Sequence, residues 1–253
     1  MAKAETIALW MRSQLSAAGA RGFVVGLSGG IDSAVVARLA QMAAPGAVLG
    51  ILLPCHSDPQ DETDALLVAS KLSLPTARVD LSEAYDALVA GAQAALRLVP
   101  GTMRPPAAGT PSHSRLPLAN IKPRLRMTAL YFLANNTNDL VAGTGNRSEL
   151  AIGYFTKHGD GGADLLPIGH LLKREVRELA RELGVPGAIV DRAPSAGLWL
   201  GQTDEEDLGF TYAELERYLE EGPQAVSPAL AMRIERLTRS SEHKRAMPAI
   251  PEA

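Results

Sequence analysis

Gly22-Phe-Val-Val-Gly-Leu-Ser-Gly-Gly-Ile-Asp-Ser33 runs from a short apolar stretch through a turn of small residues into a helical pattern. Beyond it, Val35, Val36, Leu39 and Ala40 recur at the spacing of one helix face. This is a buried strand feeding a helix, and its turn has the chemistry of an anion cradle. Successive small residues let backbone N–H groups converge, and the helix N-terminus adds partial positive charge. Ser28 and Ser33 offer hydroxyls to the same anion, and Asp32 is placed to hold a divalent cation beside it. No Lys-Ser/Thr follows the second glycine, so the loop is not a Walker A loop, and it lacks the Gly-x-Gly-x-x-Gly of a dinucleotide fold.

The rest of the chain repeats the strand–helix alternation. An amphipathic helix over 5–18 carries Ile7, Trp10, Met11 and Leu15 on its apolar stripe. Apolar runs at 47–53, 76–81 and 139–142 read as further strands, with a polar helix over 61–71 and a strong helix over 173–183. Two more helices are expected near 211–221 and 228–243. The pattern predicts an α/β fold, a parallel sheet with helices on both faces and a helical C-terminal region, in one domain over 1–253. Residues 100–118 break the rhythm with five prolines and two glycines, and are expected to hold neither helix nor interior strand. Asn120 is expected to cap a following helix that tolerates Pro123 in its first turn.

Composition narrows the function. Apolar residues make up 46% of 253, enough for a full core, and 25 basic against 28 acidic residues give a net charge of −3. That disfavours a nucleic-acid binder working by bulk electrostatics. A single cysteine, Cys55, excludes an intrachain disulfide framework and reads as a buried thiol. His56, His113 and His170 lack metal-ligand spacing. No apolar run approaches a membrane span and no signal-peptide core opens the chain, so the cytoplasm is the expected compartment, with no membrane and no nucleic-acid partner.

The string from Gly26 to Ser33 resembles the pyrophosphate loop of the ATP pyrophosphatase (PP-loop) superfamily, whose fold is adenine nucleotide alpha-hydrolase-like. Asn120-Ile-Lys-Pro-Arg124, Gly143-Thr-Gly-Asn-Arg-Ser-Glu149, Gly153-Tyr-Phe-Thr-Lys-His-Gly-Asp-Gly-Gly-Ala-Asp164, Leu166-Pro-Ile-Gly-His-Leu-Leu-Lys173, Pro194-Ser-Ala196, the stretch from Leu200 to Phe210, and Ser241-Glu-His-Lys244 resemble, in order, the signatures of ammonia-dependent NAD synthetases. The likeness covers nearly the whole chain. It implies ATP-dependent amidation of deamido-NAD with ammonia through an adenylate, without a covalent enzyme nucleophile.

The resemblance further implies that Gly26, Leu27, Ser28, Gly29, Gly30, Ile31, Asp32 and Ser33, with Thr144, Lys173 and Ser195, bind ATP. Arg124, Lys157, Asp164, His243 and Lys244 would bind deamido-NAD, and Asp32 and Glu149 would hold Mg²⁺. Two positions depart from the family pattern: Gly197 stands where an aspartate is common, and His158 where a tyrosine is usual. A homodimer is expected, paired through the N-terminal helix and the helix from Asn120. Residues 100–118 read equally as a lid or as a simple insertion; as lids, they and the 157–164 loop would shield the adenylate from water. Competing readings are another adenylating ligase, acting on a nucleobase or tRNA, and a non-catalytic ATP sensor. Four of the six lysines (122, 157, 173 and 244) fall inside these motifs, a concentration suited to a site that must neutralise several phosphates.

Overall fold

The computed structural model describes residues 2–103, 111–199 and 201–251. Four parallel strands, β1 (Phe23–Gly26), β2 (Val48–Leu52), β3 (Thr76–Arg78) and β4 (Leu140–Val141), lie in the order β3-β2-β1-β4. Phe23 pairs with both Val48 and Leu140, so β1 is central. Its side chains are apolar on both faces, because both are covered. Phe23 and Val25 enter a core built with α1 (Ala2–Ala18), α2 (Ile31–Ala43), α3 (Pro59–Leu72), α8 (Lys173–Glu182) and α9 (Gly187–Val190). Val24 enters a second core with Ile51 and Val141, against α4 (Ser82–Arg97) and α6 (Ile121–Thr137). A third cluster around Tyr212, Leu215 and Ile234 joins α7 (Arg147–Ile152), α10 (Asp204–Leu208), α11 (Tyr212–Glu221) and α12 (Pro228–Ser240). The predicted layers and the helical C-terminal region are therefore present.

Three local expectations need correction. Residues Pro111–Ala119 form a helix, α5, despite two prolines. Pro111 occupies the first position, where no N–H is needed, and Pro117, inside the helix, removes one N–H and so costs a single intrahelical bond to the preceding turn. Of the expected lid at 100–118, residues 104–110 lie outside the described residues. Asn120 does not cap α6 with its side chain; its backbone is helical, and its Oδ1 accepts from Thr156 Oγ1 at 2.8 Å. The predicted helix 228–243 stops at Ser240, where a 3₁₀ turn over Glu242–Lys244 takes over.

The N-terminal helix also turns its stripe inward. Ile7 and Met11 are buried in the α2 layer, leaving Trp10 at the rim. Helices α1 and α6 thus sit on opposite faces of the sheet.

Candidate active site

A cavity of about 1090 Å³ opens at the C-terminal edge of the strands, the position where open α/β sheets bind ligands. It exceeds the usual range for one small-molecule pocket and suits two substrates side by side. Gly26, Leu27, Ser28, Gly30, Ile31 and Asp32 line one wall, joined by Thr144, Glu149, Lys173 and Ser195.

The loop after β1 is shaped by its small residues. Gly29 has φ +77°, and a Cβ there would stand 2.5 Å from the Asp61 carbonyl oxygen, so no other residue fits. Gly30 is the N-cap of α2 and offers no side-chain cap, which leaves the first N–H groups of the helix open to a ligand. Ser33 departs from its expected role. It is buried, and its hydroxyl donates to the Gly30 carbonyl (2.9 Å) while accepting from the Ser28 N–H (3.3 Å). Ser33 therefore braces the loop from within.

Three helix starts converge beside this loop. Asp32 lies in the first turn of α2, Glu149 in the first turn of α7 and Lys173 at the first position of α8. Lys173 Nζ lies 2.5 Å from Asp32 Oδ2 and 3.2 Å from Glu149 Oε1, with its side chain only 3% exposed. Asn146 ties the carboxylates together. Its Nδ2 donates to Asp32 Oδ1 (3.0 Å) and its Oδ1 accepts from the Glu149 N–H (3.1 Å), within a capping box that opens α7. Burial opposes the charge on Lys173, yet Asp32 and Glu149 outweigh it and hold the ammonium above the ordinary lysine range. Burial pushes the Glu149 carboxyl up to about 7, with Lys173 opposing and Asp32 and Asp204 reinforcing the rise.

Asp32 and Glu149 each turn an oxygen to the same Lys173 ammonium, and both are hard oxygen donors. That donor set suits Mg²⁺, whose remaining positions would go to water and phosphate oxygens.

The residues expected to meet deamido-NAD fall at the other end. Arg124 Nε donates to the Lys157 carbonyl (3.3 Å), and Lys157 Nζ donates to the His243 carbonyl (2.5 Å). Lys244 Nζ donates to the carbonyls of Gly153 and Phe155, both at 2.8 Å, and lies over the Phe155 ring. Arg124, Lys157, His243 and Lys244 thus form one cluster, of which Lys244 lines the cavity. Asp164 is placed differently. Its Oδ2 accepts from the Val141 N–H (2.7 Å) and its Oδ1 from the Tyr131 hydroxyl (3.1 Å), pinning β4 to α6. The 157–164 loop is packed rather than open, since a Cβ on Gly159 or Gly162 would meet Pro123 or Met127 of α6 at 3.0 Å. His158 adopts a left-handed backbone, φ +58°, which histidine tolerates better than most residues. Gly197 also has positive φ, +60°, a conformation that aspartate, like histidine, adopts more readily than most residues.

Several side chains of the site carried no sequence signal that assigned them a role. Asp204 is buried, accepts from the Tyr212 hydroxyl (2.9 Å) and has one oxygen without a partner among the described residues. Arg192 clamps Asp61 (2.6 Å) and Asp64 (2.8 Å) below the nucleotide wall. Arg126 reaches the cavity from α6. Asn146 was legible, since Asn-x-x-Glu before a helix is a capping signature.

The NAD synthase family model matches residues 3–248. An ammonia-dependent NAD synthetase of Carboxydothermus hydrogenoformans is 51% identical over 249 residues, covering 98% of this chain and 96% of its own. Among solved structures, the NMN synthetase of Francisella tularensis superposes with a TM-score of 0.88 at 37% identity, over 99% of this chain and 98% of its own. The ammonia-dependent NAD synthetase of Campylobacter jejuni, solved with a nitrate ion, gives 0.77 at 27% identity, over 99% and 97%. With a family model spanning nearly every residue and a relative at this identity across both full lengths, the chain belongs to the NAD synthase family.

Proposed function

We propose that this chain amidates deamido-NAD to NAD with ammonia, converting ATP to AMP and pyrophosphate. The observation that carries the reading is the trio Asp32, Glu149 and Lys173, gathered at three helix starts against an open pyrophosphate loop on the wall of a two-substrate cavity. The nicotinate carboxylate attacks the α-phosphorus and pyrophosphate leaves. Ammonia then attacks the acyl carbon, AMP departs, and the ammonia nitrogen gives up a proton. Mg²⁺ held by Asp32 and Glu149 would neutralise phosphate charge during the first step. Lys173 turns its ammonium from the carboxylates toward the phosphates, and the open N–H groups at the start of α2 receive phosphate oxygens. Thr144 and Ser195 contribute hydroxyls to the same ligand. Lys244, backed by Arg124, Lys157 and His243, receives the anionic acceptor. Catalysis here is positioning and charge neutralisation, and needs no enzyme nucleophile.

Free ammonia is the nitrogen donor in this reading, and the cytoplasm supplies ATP and Mg²⁺. Cys55 offers no route to a glutamine thioester, because it is buried and burial pushes its thiol up, away from the thiolate. No described helix is long and apolar enough to cross a membrane. The pairing surface of a homodimer falls on the α4–α6 face, where Leu88, Leu116 and Phe132 are 49%, 51% and 67% exposed.

The test is incubation with ATP, Mg²⁺, ammonium and deamido-NAD. Equal yields of NAD, AMP and pyrophosphate are expected, and ADP in place of AMP would refute the mechanism. The structural likeness to an NMN synthetase supports a second reading, in which the acceptor is the mononucleotide counterpart. Comparison of kcat/KM for the two acceptors decides between them.

A further inference from the structure

Lys122 and Arg126 stand four residues apart on α6, so their side chains leave the same helix face one turn apart. Lys122 Nζ donates to the carbonyls of His56 (3.2 Å) and Leu198 (2.9 Å). Arg126 donates from Nε to the Leu53 carbonyl (3.1 Å) and from Nη2 to the Ser57 hydroxyl (3.0 Å). Among the described residues neither cation forms an ion pair, and three of the five N–H donors of Arg126 are unclaimed.

The nearby groups that could neutralise this pair are otherwise engaged. Asp61 is bound to Arg192 at 2.6 Å, and Asp160, which accepts the Thr156 N–H at 2.8 Å, reaches Arg126 only through space, without a direct contact among the described residues. Cys55 would serve as a thiolate, but burial keeps it a thiol. Desolvation pulls both cations below their ordinary ranges, and Arg126 adds to the depression at Lys122. Like charges at this spacing weaken a helix, and those withdrawn from water without a contacting counter-ion weaken it more. Such an arrangement costs the free protein stability and is relieved by an anion.

The place of that anion follows from the packing of α6. Leu130 covers Gly26 at the end of β1, with its Cδ1 at 3.4 Å from where a Cβ would stand. Arg126, one turn earlier, lines the cavity beyond the ends of β1 and β2. Its neighbour Met127 packs on Gly162 of the loop that borders the acceptor end. The guanidinium therefore lies between the pyrophosphate loop and the acceptor cluster.

We infer that Arg126, backed by Lys122, grips a phosphoryl oxyanion of the bound substrates where the nucleotide and the acceptor meet. The inference rests on the proposed function and adds a positioning contact from α6, opposite the loop. The phosphoryl group belongs either to ATP or to the pyrophosphate of deamido-NAD, and a planar fork suits either.

Calorimetric binding without turnover tests it. Wild type and Arg126→Met are titrated with Mg-ATP alone and with deamido-NAD alone, and the free proteins are melted. The expected result is a loss of roughly 10- to 100-fold in affinity for one ligand, the size of a lost charge-assisted contact, with the other within threefold. The ligand affected identifies the source of the phosphoryl group. The free variant should melt at or above the wild-type temperature, because like-charge repulsion has been removed. A lowered melting temperature with both affinities unchanged would make Arg126 a structural tether and overturn the inference. If Arg126→Met does not fold, Arg126→Lys keeps the charge and loses the fork; a drop of at least threefold supports the inference, and unchanged affinity for both ligands defeats it. Should wild type bind neither ligand, the proposed function itself falls, which is a different outcome from a silent substitution.

Discussion

At the phosphate end of the cavity, Lys173 is almost wholly buried, ion-paired to two carboxylates and backed by Asn146 and the ring of Tyr212. At the acceptor end, Lys157 and Lys244 bond, among the described residues, only to main-chain carbonyls, and Lys157 and His243 lie toward solvent. The first cluster is one geometry held by opposite charges across three helix starts. The second is a set of cations leaning on carbonyl dipoles, easily drawn to a stronger anion. On the proposed function, preorganisation for phosphate chemistry is concentrated where helices converge, and adaptability where a loop and a 3₁₀ turn meet.

The sharpest way to break that contrast is at the carboxylates. Asp32→Ala and Glu149→Ala should each lower pyrophosphate release by roughly 10³-fold or more, since both remove charge that acts on the transferring group. Thermal unfolding should show the fold retained. Release at the wild-type rate under limiting Mg²⁺ would show that neither residue holds the ion.

Lys173→Met attacks the same cluster from the other sign. It leaves Asp32, Glu149 and Asp204 facing one another with no cation, and should destabilise the free protein by about 3–5 kcal/mol, measured by urea unfolding. An equivalent substitution at Lys157, which is partnered by a carbonyl alone, should cost under about 1 kcal/mol. Equal costs at the two lysines would erase the distinction between the ends.

How much of this was legible in the sequence follows the same division. The strand–loop–helix of 22–40 and the other apolar runs declared the sheet, because buried parallel strands and glycine turns leave local marks. That Asp32, Glu149 and Lys173 meet was legible because they sit in glycine-punctuated motifs at strand ends. Ser33 was read as a ligand, since nothing local reveals that its hydroxyl is spent on Gly30. Arg126 left no mark, and Asp204, although inside the stretch from Leu200 to Phe210, received no role, because their meaning depends on which distant groups fail to pair with them. The helix at 111–119 was missed because proline counts against a helix locally, whereas this one starts on Pro111 and tolerates Pro117 inside it.

The junction between the two regions is Gly153, which closes α7 in the left-handed region at φ +68° and presses on the turn that carries Lys244. A Cβ there would stand 2.1 Å from Ser241 Cβ. Gly153→Ala should cost about 2–4 kcal/mol through overpacking and backbone strain. It should raise the acceptor KM while sparing ATP affinity. Adding Ser241→Gly should return the overpacking part, and strictly additive effects in that double-mutant cycle would contradict the contact.

The mildest perturbation, Lys244→Met, sharpens the comparison most. Lys244 is half-buried over Phe155, and burial pulls its ammonium below the ordinary lysine range, with Asp160 opposing. An anionic acceptor needs the protonated form, so wild-type acceptor affinity should fall on the alkaline side, earlier than an exposed lysine would allow. Free ammonia increases over the same interval, so kcat at saturating acceptor should climb while kcat/KM for the acceptor turns over. Lys244→Met should raise the acceptor KM roughly 3- to 10-fold, as removal of one flexible charge contact does, and flatten the alkaline limb of kcat/KM. ATP binding should not change, because the phosphate end is held by its own ion pairs. A variant that keeps the alkaline limb would assign that titration to another group, and one that loses ATP affinity would show that the two ends are not separately built.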